Sequence, residues 1–290
     1  MRRGLVVCWV WLVCLGGCGD APPAPDPFGN SRGSAPAETG TGGGVGAGEA
    51  GGAGGQPAPA ASGGHGGASL GRFELAWEDG FDTVDLTRWE LMTHSWDSNL
   101  AQFTGENAQA SDGILHLSLT AADDPEKPYR GVEMRSRETL TYGKVEVSTR
   151  FAAGSAVVSS LVLIYTPWPP DDWNELDIEF LGKNTDRVQF NHMVNVPPAD
   201  PQTGHLQFPQ LVTLPFNPAA DFHTYAIEWV PGEARFCVDG ALLHTATEEM
   251  SRMVLPQNIL LTIWASSASS WAGPVDATTA PTSADYDWIR

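Results

Sequence analysis

Between Trp173 and Gly182 the chain reads W-N-E-L-D-I-E-F-L-G, with carboxylates at i, i+2 and i+4 and apolar residues in the gaps. Side chains on a strand alternate between faces, so this spacing puts Glu175, Asp177 and Glu179 together on one side. Leu176, Ile178 and Phe180 then face the other way, into a core. A helical period would scatter both sets around a cylinder, so the segment is predicted as a strand. Three acids along one strand face repel one another and give a fold no stability. They make chemical sense where two carboxyl groups share the cleavage of a glycosidic bond. One is ionised and attacks, while its neighbour is held protonated and donates to the leaving oxygen.

The rest of the chain follows the same alternation in short segments. Leu115, Leu117 and Leu119 alternate with His116 and Ser118, and Val145 and Val147 alternate with Lys144, Glu146 and Ser148. Tyr225, Ile227 and Trp229 do the same, and Val157 to Tyr165, Asn258 to Ala265 and Asp285 to Ile289 also read as strands. Phe236 to Val238, Asp239-Gly240 and Leu242 to Thr247 form a hairpin signal, because Asp-Gly tolerates the positive φ of a tight turn. One or two helical turns are expected over Glu248 to Val254. Many short strands separated by turn signals predict an all-β, two-sheet β-sandwich.

Three regions divide the chain. Residues 1–17 carry Arg2 and Arg3 before an apolar stretch, Leu5 to Leu15, which is short for a bilayer span and reads as a signal peptide. Leu15-Gly16-Gly17-Cys18 resembles a bacterial lipoprotein cleavage box, with Cys18 as the lipidation site; the other reading is an ordinary secretory signal. Residues 18–70 are rich in Gly, Ala, Pro and Ser and poor in large apolar side chains, which predicts a disordered linker reaching roughly 40 Å. Residues 71–290 suit one domain. Cys237 is its lone cysteine, so no disulfide staples it, and the residue is expected as a small buried apolar one. The expectation is an exported, lipid-anchored envelope or surface protein, touching membrane through the anchor alone.

The formal charge of −19 disfavours nucleic acid and anionic membranes. A neutral glycan is the easier partner, and flat aromatic rings suit the apolar faces of sugars. Trp173, Trp264 and Trp271 are the candidates, lying on or beside strands expected to line a groove.

The longer run W-N-E-L-D-I-E-F-L-G-K-N-T-D-R-V-Q-F-N, Trp173 to Asn191, resembles the active-site strand and following strand of bacterial lichenases. These are endo-β-1,3-1,4-glucanases of glycoside hydrolase family 16, and the similarity extends with gaps from about Phe73 to the last residue. The resemblance implies a concanavalin A-like jelly roll with a concave substrate groove and retaining hydrolysis of a neutral β-glucan by a monomer. It implies Glu175 as nucleophile, Glu179 as general acid/base and Asp177 as the middle acid that tunes both. It further implies Asn99, Glu133, Arg135, Gln189 and Asn191 as cleft residues binding sugar hydroxyls, with Trp264 and Trp271 as sugar platforms. A structural ion pair is the other reading of Glu133 and Arg135.

No cofactor is required for such catalysis. The resemblance implies one structural calcium far from the cleft, with Asp287 as a ligand and Gly113 as a carbonyl donor; strand-end hydrogen bonding is the other reading of Asp287. Departures from the family pattern concern linkage preference: Met193 replaces a tyrosine, Thr262 replaces an asparagine, and Pro197 to Phe208 is inserted. The spacing E-L-D-I-E matches the lichenase and transglycosylase branch, so transfer of the sugar to a second glycan is an alternative to hydrolysis. A non-catalytic glucan-binding lipoprotein is another. Four strand residues span about 13 Å, whereas retaining carboxyls lie about 5–5.5 Å apart, so the two glutamates must lean toward each other.

Overall fold

In the computed structural model the described residues are 73–166, 172–195 and 205–290. The signal-like segment, Cys18, the linker and part of the Pro197 to Phe208 insertion lie outside them. Sixteen strands are found among the described residues: β1 (Trp89–Leu91), β2 (Ala101–Phe103), β3 (Ala108–Ser111), β4 (Ile114–Ala121), β5 (Tyr129–Leu140), β6 (Gly143–Arg150), β7 (Val157–Ile164), β8 (Asn174–Leu181), β9 (Arg187–Asn195), β10 (His205–Gln207), β11 (Gln210–Thr213), β12 (His223–Val230), β13 (Glu233–Val238), β14 (Ala241–Ala246), β15 (Gln257–Ala265) and β16 (Thr282–Ile289). One short helix, α1 (Ser269–Ala272), follows β15.

The strands form a jelly-roll β-sandwich. A front sheet runs β9-β8-β7-β15-β5, with β10 and β11 pairing along the outer edge of β9 and β1 on β5. A back sheet runs β4-β16-β6-β12-β13-β14, with β3 on β4. The two meet at a corner where β4 and β5 share two residue pairs, Thr120↔Arg130 and Ala121↔Tyr129.

Inward-facing rings join the two sheets. Phe180 of the front sheet stacks on Phe151 at 5.6 Å, and Phe190 stacks on Phe236 of β13 at 5.0 Å. The Tyr286 hydroxyl of β16 donates to the Ser160 carbonyl of β7 at 3.1 Å. Each such side chain leaving water contributes roughly 1.5–3 kcal/mol, and this burial carries a domain whose described residues include one cysteine, unpaired.

The expected hairpin is present, with Asp239 and Gly240 at φ 49° and 75° between β13 and β14. The expected helical turn is a 3-10 turn at Met250–Arg252. Cys237 differs from expectation. It is half-buried, because Phe236 and Val238 take the inward positions of β13 and leave Cys237 on the outer face.

Candidate active site

Strand β8 alternates as its sequence dictates. Leu176, Ile178 and Phe180 are fully buried in the core, and the three acids stand on the concave face. Glu175 and Glu179 both reach a cavity of about 280 Å³ on this face, so the two side chains lean into a shared space. The antiparallel register sets each acid beside its own partner on β9: Glu175 opposite Met193, Asp177 opposite Asn191, and Glu179 opposite Gln189.

Each glutamate receives one fixed donor. The Trp173 indole N–H bonds Glu175 Oε2 at 2.7 Å, and the Gln189 amide bonds Glu179 Oε2 at 2.9 Å. Gln189 is itself held by the Trp271 indole at 3.2 Å, so Trp271 acts on Glu179 through Gln189. Asp177 is almost wholly buried, and neither of its oxygens accepts a well-aligned bond from any donor. The Asn191 amide opposite it is the one donor that acts on it, and burial between two acids favours the protonated form of Asp177, which then donates to Glu175.

The electrostatics follow from burial. Desolvation lifts Glu175 to about 7, opposed by its bonds from Trp173 and Asp177, with the Glu133 charge adding to the rise. Desolvation and the Glu175 charge lift Glu179 to about 8, against the Gln189 bond. Asp177 is pushed well above the carboxylate range by burial and by both glutamates, with Asn191 working in the opposite direction. Both glutamates are thus held well above the usual carboxylate range, so that near neutral pH the pair shares one proton.

Most of the expected cleft residues gather around these acids. Trp173, Glu133, Arg135 and Trp264 line the cavity, as do Met193 and Thr262. Arg135 Nη2 meets Glu133 Oε1 at 2.5 Å, so the pair is both an ion pair and part of the cavity wall. Gln189 and Asn191 sit one layer behind, and the Asn191 side-chain Oδ1 accepts from the Phe208 backbone N–H. Asn99 is placed differently from expectation. It is fully buried, does not line the cavity, and uses Oδ1 to accept from the Ala101 N–H at 2.8 Å, which shapes a loop. His94 and Trp96 line the cavity without having been singled out, because their loop carries no periodic signal.

Gly113 and Asp287 come to one end of the back sheet. Tyr286 pairs with Leu115, so the next residues of β16 run alongside Ile114 and the β3–β4 turn that contains Gly113. Asp287 is bulged out of the β16–β6 ladder, where it accepts a 3.3 Å bond from Ser148. The Gly80 carbonyl lies 3.9 Å from where a Gly113 Cβ would sit. Carboxylate and main-chain oxygens are the ligand types that Ca²⁺ takes, and Asp287 and the Gly113 turn share this end of the sheet. Among the described residues no three His, Cys, Asp or Glu side chains cluster as a metal site.

Comparison with known proteins gives concordant matches. The description "Glycosyl hydrolases family 16" matches residues 96–290. A beta-glucanase of Paenibacillus polymyxa is 35% identical over 202 residues, spanning 69% of this chain and 77% of that one. A beta-glucanase of Bacillus subtilis (strain 168) is 36% identical over 197 residues, 68% and 74% of the two chains. The crystal structure of a prokaryotic beta-1,3-1,4-glucanase (lichenase) from a mouse hindgut metagenome superposes with a TM-score of 0.65 at 32% identity, covering 73% of this chain and 96% of that one.

Proposed function

The chain belongs to glycosyl hydrolase family 16 and is a glycoside hydrolase, and from that premise we propose an endo-acting, retaining β-glucanase whose substrate is mixed-linkage β-1,3-1,4-glucan. The observation that carries the mechanism is the graded support along one strand face. Glu175 is held by the Trp173 indole, Glu179 by the Gln189 amide, and Asp177, buried between them, is pushed toward its protonated form.

In the first step Glu175 Oε attacks the anomeric carbon, and the bond from that carbon to the glycosidic oxygen breaks. The Glu179 proton passes to the departing oxygen, leaving a glycosyl ester on Glu175. Asp177 leans its proton toward Glu175 and keeps the middle of the strand uncharged, so the attacking carboxylate faces one negative neighbour fewer. In the second step Glu179, now ionised, takes a proton from water; the water oxygen bonds the anomeric carbon and the ester breaks. Trp173 fixes the nucleophile and Gln189 the acid, which supplies orientation within the reacting complex.

The test is reducing-sugar release from mixed-linkage β-glucan, laminarin and xyloglucan by the wild type and Glu175→Gln, with NMR of the first-formed anomer. Activity on mixed-linkage glucan with retained configuration, abolished by Glu175→Gln, is expected. An inverted anomer would overturn the covalent step, and products longer than the starting oligosaccharide would identify transfer in place of hydrolysis.

A structural calcium at Asp287 and Gly113 belongs to the same reading. When bound, the ion would tie the β3–β4 turn to β16, away from the acids. Export and anchoring through Cys18 are supported by the Leu15-Gly16-Gly17-Cys18 box. A Cys18→Ser chain is expected in the soluble fraction, with the wild type in membranes.

A further inference from the structure

We propose that His205, carried on β10 at the outer edge of the front sheet, is a positioning residue for the reaction: by stacking on Trp173 it fixes the indole that holds Glu175, a reading that rests on Glu175 as the nucleophile. The register shows how a residue two strands away comes to act there. Glu175 of β8 pairs with Met193 of β9, and Met193 pairs with Gln207 of β10. Two residues along, the Trp173 carbonyl accepts from the Asn195 N–H at 3.0 Å, and Asn195 pairs with His205. Side chains return to one face at every second residue, so Trp173 and His205 share the concave face with Glu175 and Gln207. Their backbones are two inter-strand spacings apart, roughly 9.5 Å. The rings close that gap over Asn195, with centroids 4.4 Å apart and planes 20° from parallel.

Trp173 stands one residue before β8 begins, and the Asn195 bond ties its main chain to the sheet. A main-chain bond sets no side-chain torsion, so the plane of the indole depends on what packs against it. Its N–H has to stay aligned on Glu175 Oε2, 2.7 Å away, and such bonds weaken steeply as the angle closes. His205 is itself well held. The Gln207 amide donates to His205 Nε2 at 3.2 Å, and Leu206 pairs with Val194. The next residue, Phe208, donates its N–H to the His192 carbonyl at 3.1 Å and stacks on the His192 ring at 4.4 Å. The support therefore comes from the described end of the Pro197 to Phe208 insertion, where this chain departs from the family pattern.

The effect falls on the nucleophile alone. Burial raises the Glu175 carboxyl, and the Trp173 bond opposes that rise. An indole without its stack would give up part of the opposition and let the attacking oxygen wander. Glu179 keeps a separate donor in Gln189, which is braced by Trp271. The ionisable groups that face Glu175 are Asp177 and Glu179 on its own strand, Glu133 and Arg135 on β5, His94 between β1 and β2, and Tyr165 after β7. All six remain when His205 is replaced, so a changed pH profile reports on the indole bond.

The experiment compares His205→Ala, His205→Phe, Trp173→Phe and the His205→Ala, Trp173→Phe double variant with wild type on mixed-linkage β-glucan, with Tm recorded for each. His205→Ala should lower kcat roughly ten-fold and leave KM within about two-fold, the pattern of lost orientation in the reacting complex. The acid limb of its kcat/KM profile should move to higher pH, since Glu175 ionises less readily without the aligned donor. His205→Phe keeps a flat ring on the indole and removes the imidazole with its charge; it should recover most of kcat and the wild-type limb. In the Trp173→Phe background, where no indole N–H remains, His205→Ala should change kcat by less than about two-fold, because residues acting through one bond are not additive. An equal loss in that background, a His205→Phe as impaired as His205→Ala, or a change confined to KM would overturn the proposal. NMR of isotope-labelled indoles, with Trp173 assigned by its absence in Trp173→Phe, reads the bond without turnover. His205→Ala should speed solvent exchange of the Trp173 indole proton, and unchanged exchange would count against the stack. Faster exchange alongside a fully active Glu175→Gln would keep the stack as the indole's support and overturn only the nucleophile assignment.

Discussion

Asp177 is the residue whose stability and activity effects point in opposite directions. It is almost wholly buried, flanked by two carboxyls, and without a well-aligned donor. Glu175, Asp177 and Glu179 all have folded pKa values raised above their ordinary values of 4.5, 3.8 and 4.5. For a raised acid the stabilising contribution is full below the unfolded pKa and is lost as pH rises through the folded one. The three acids thus favour the fold near pH 4 and penalise it increasingly through about 7 for Glu175 and about 8 for Glu179. Asp177→Asn removes one ionisable group from the strand. It is expected to raise Tm at pH 8 by roughly 3 °C or more while lowering kcat by about 10²-fold; a variant that loses both would mean Asp177 is structural. Turnover needs Glu175 ionised and Glu179 protonated. A plot of kcat/KM against pH should therefore rise through about 7 and fall beyond about 8, with limbs belonging to the coupled pair.

At the scale of the element, β8 was legible because its two periods agree: acids out and large apolar residues in, with no residue breaking the alternation. Strand β5 was harder to read. Its concave positions Glu133 and Arg135 are polar, as the cleft requires, and Gly131 interrupts the pattern where the Ile263 carbonyl packs against its α-carbon. Loop residues such as His94 and Trp96 have no period at all, and only the fold brings them to the acids. Cys237 followed the alternation rule, which its own apolar character obscured. The end of β8 offers a direct test of how tightly the catalytic strand is held. Gly182 donates to the Val157 carbonyl and accepts from the Gly154 N–H. A Cβ there would stand 2.6 Å from the Gly154 carbonyl oxygen, 2.7 Å from that of Ala152 and 2.8 Å from the Gly154 nitrogen. All three are backbone atoms, which cannot swing aside as side-chain ends do. Gly182→Ala should cost about 1–3 kcal/mol in urea unfolding and lower activity by shifting Glu179. Unchanged stability would mean the β6–β7 connection yields more readily than its hydrogen bonds imply.

For the whole molecule, the balance of forces turns on packing and on what ties the sheet ends. A jelly roll of this size folds from long-range pairings, and its one described cysteine is free. The β3–β4 turn and the bulged Asp287 lie at the same end of the back sheet, the two parts that a calcium ion would join. An ion that binds the folded chain and not the unfolded one adds RT ln(1 + [L]/Kd), about 2.7 kcal/mol at a hundredfold excess over Kd. For a domain of this length that is roughly 5–10 °C in Tm. Calorimetry in EDTA and then in excess Ca²⁺ should show a shift of that order, and Mg²⁺ should give much less, because it demands a tighter octahedral shell. Asp287→Ala should abolish the calcium-dependent part and leave the EDTA value nearly unchanged, since that side chain makes one long hydrogen bond in the fold. An equal calcium shift in the variant would place the ion elsewhere on this strongly acidic surface. A variant that unfolds early even in EDTA would make Asp287 a strand-end contact, with Ser148 as its partner.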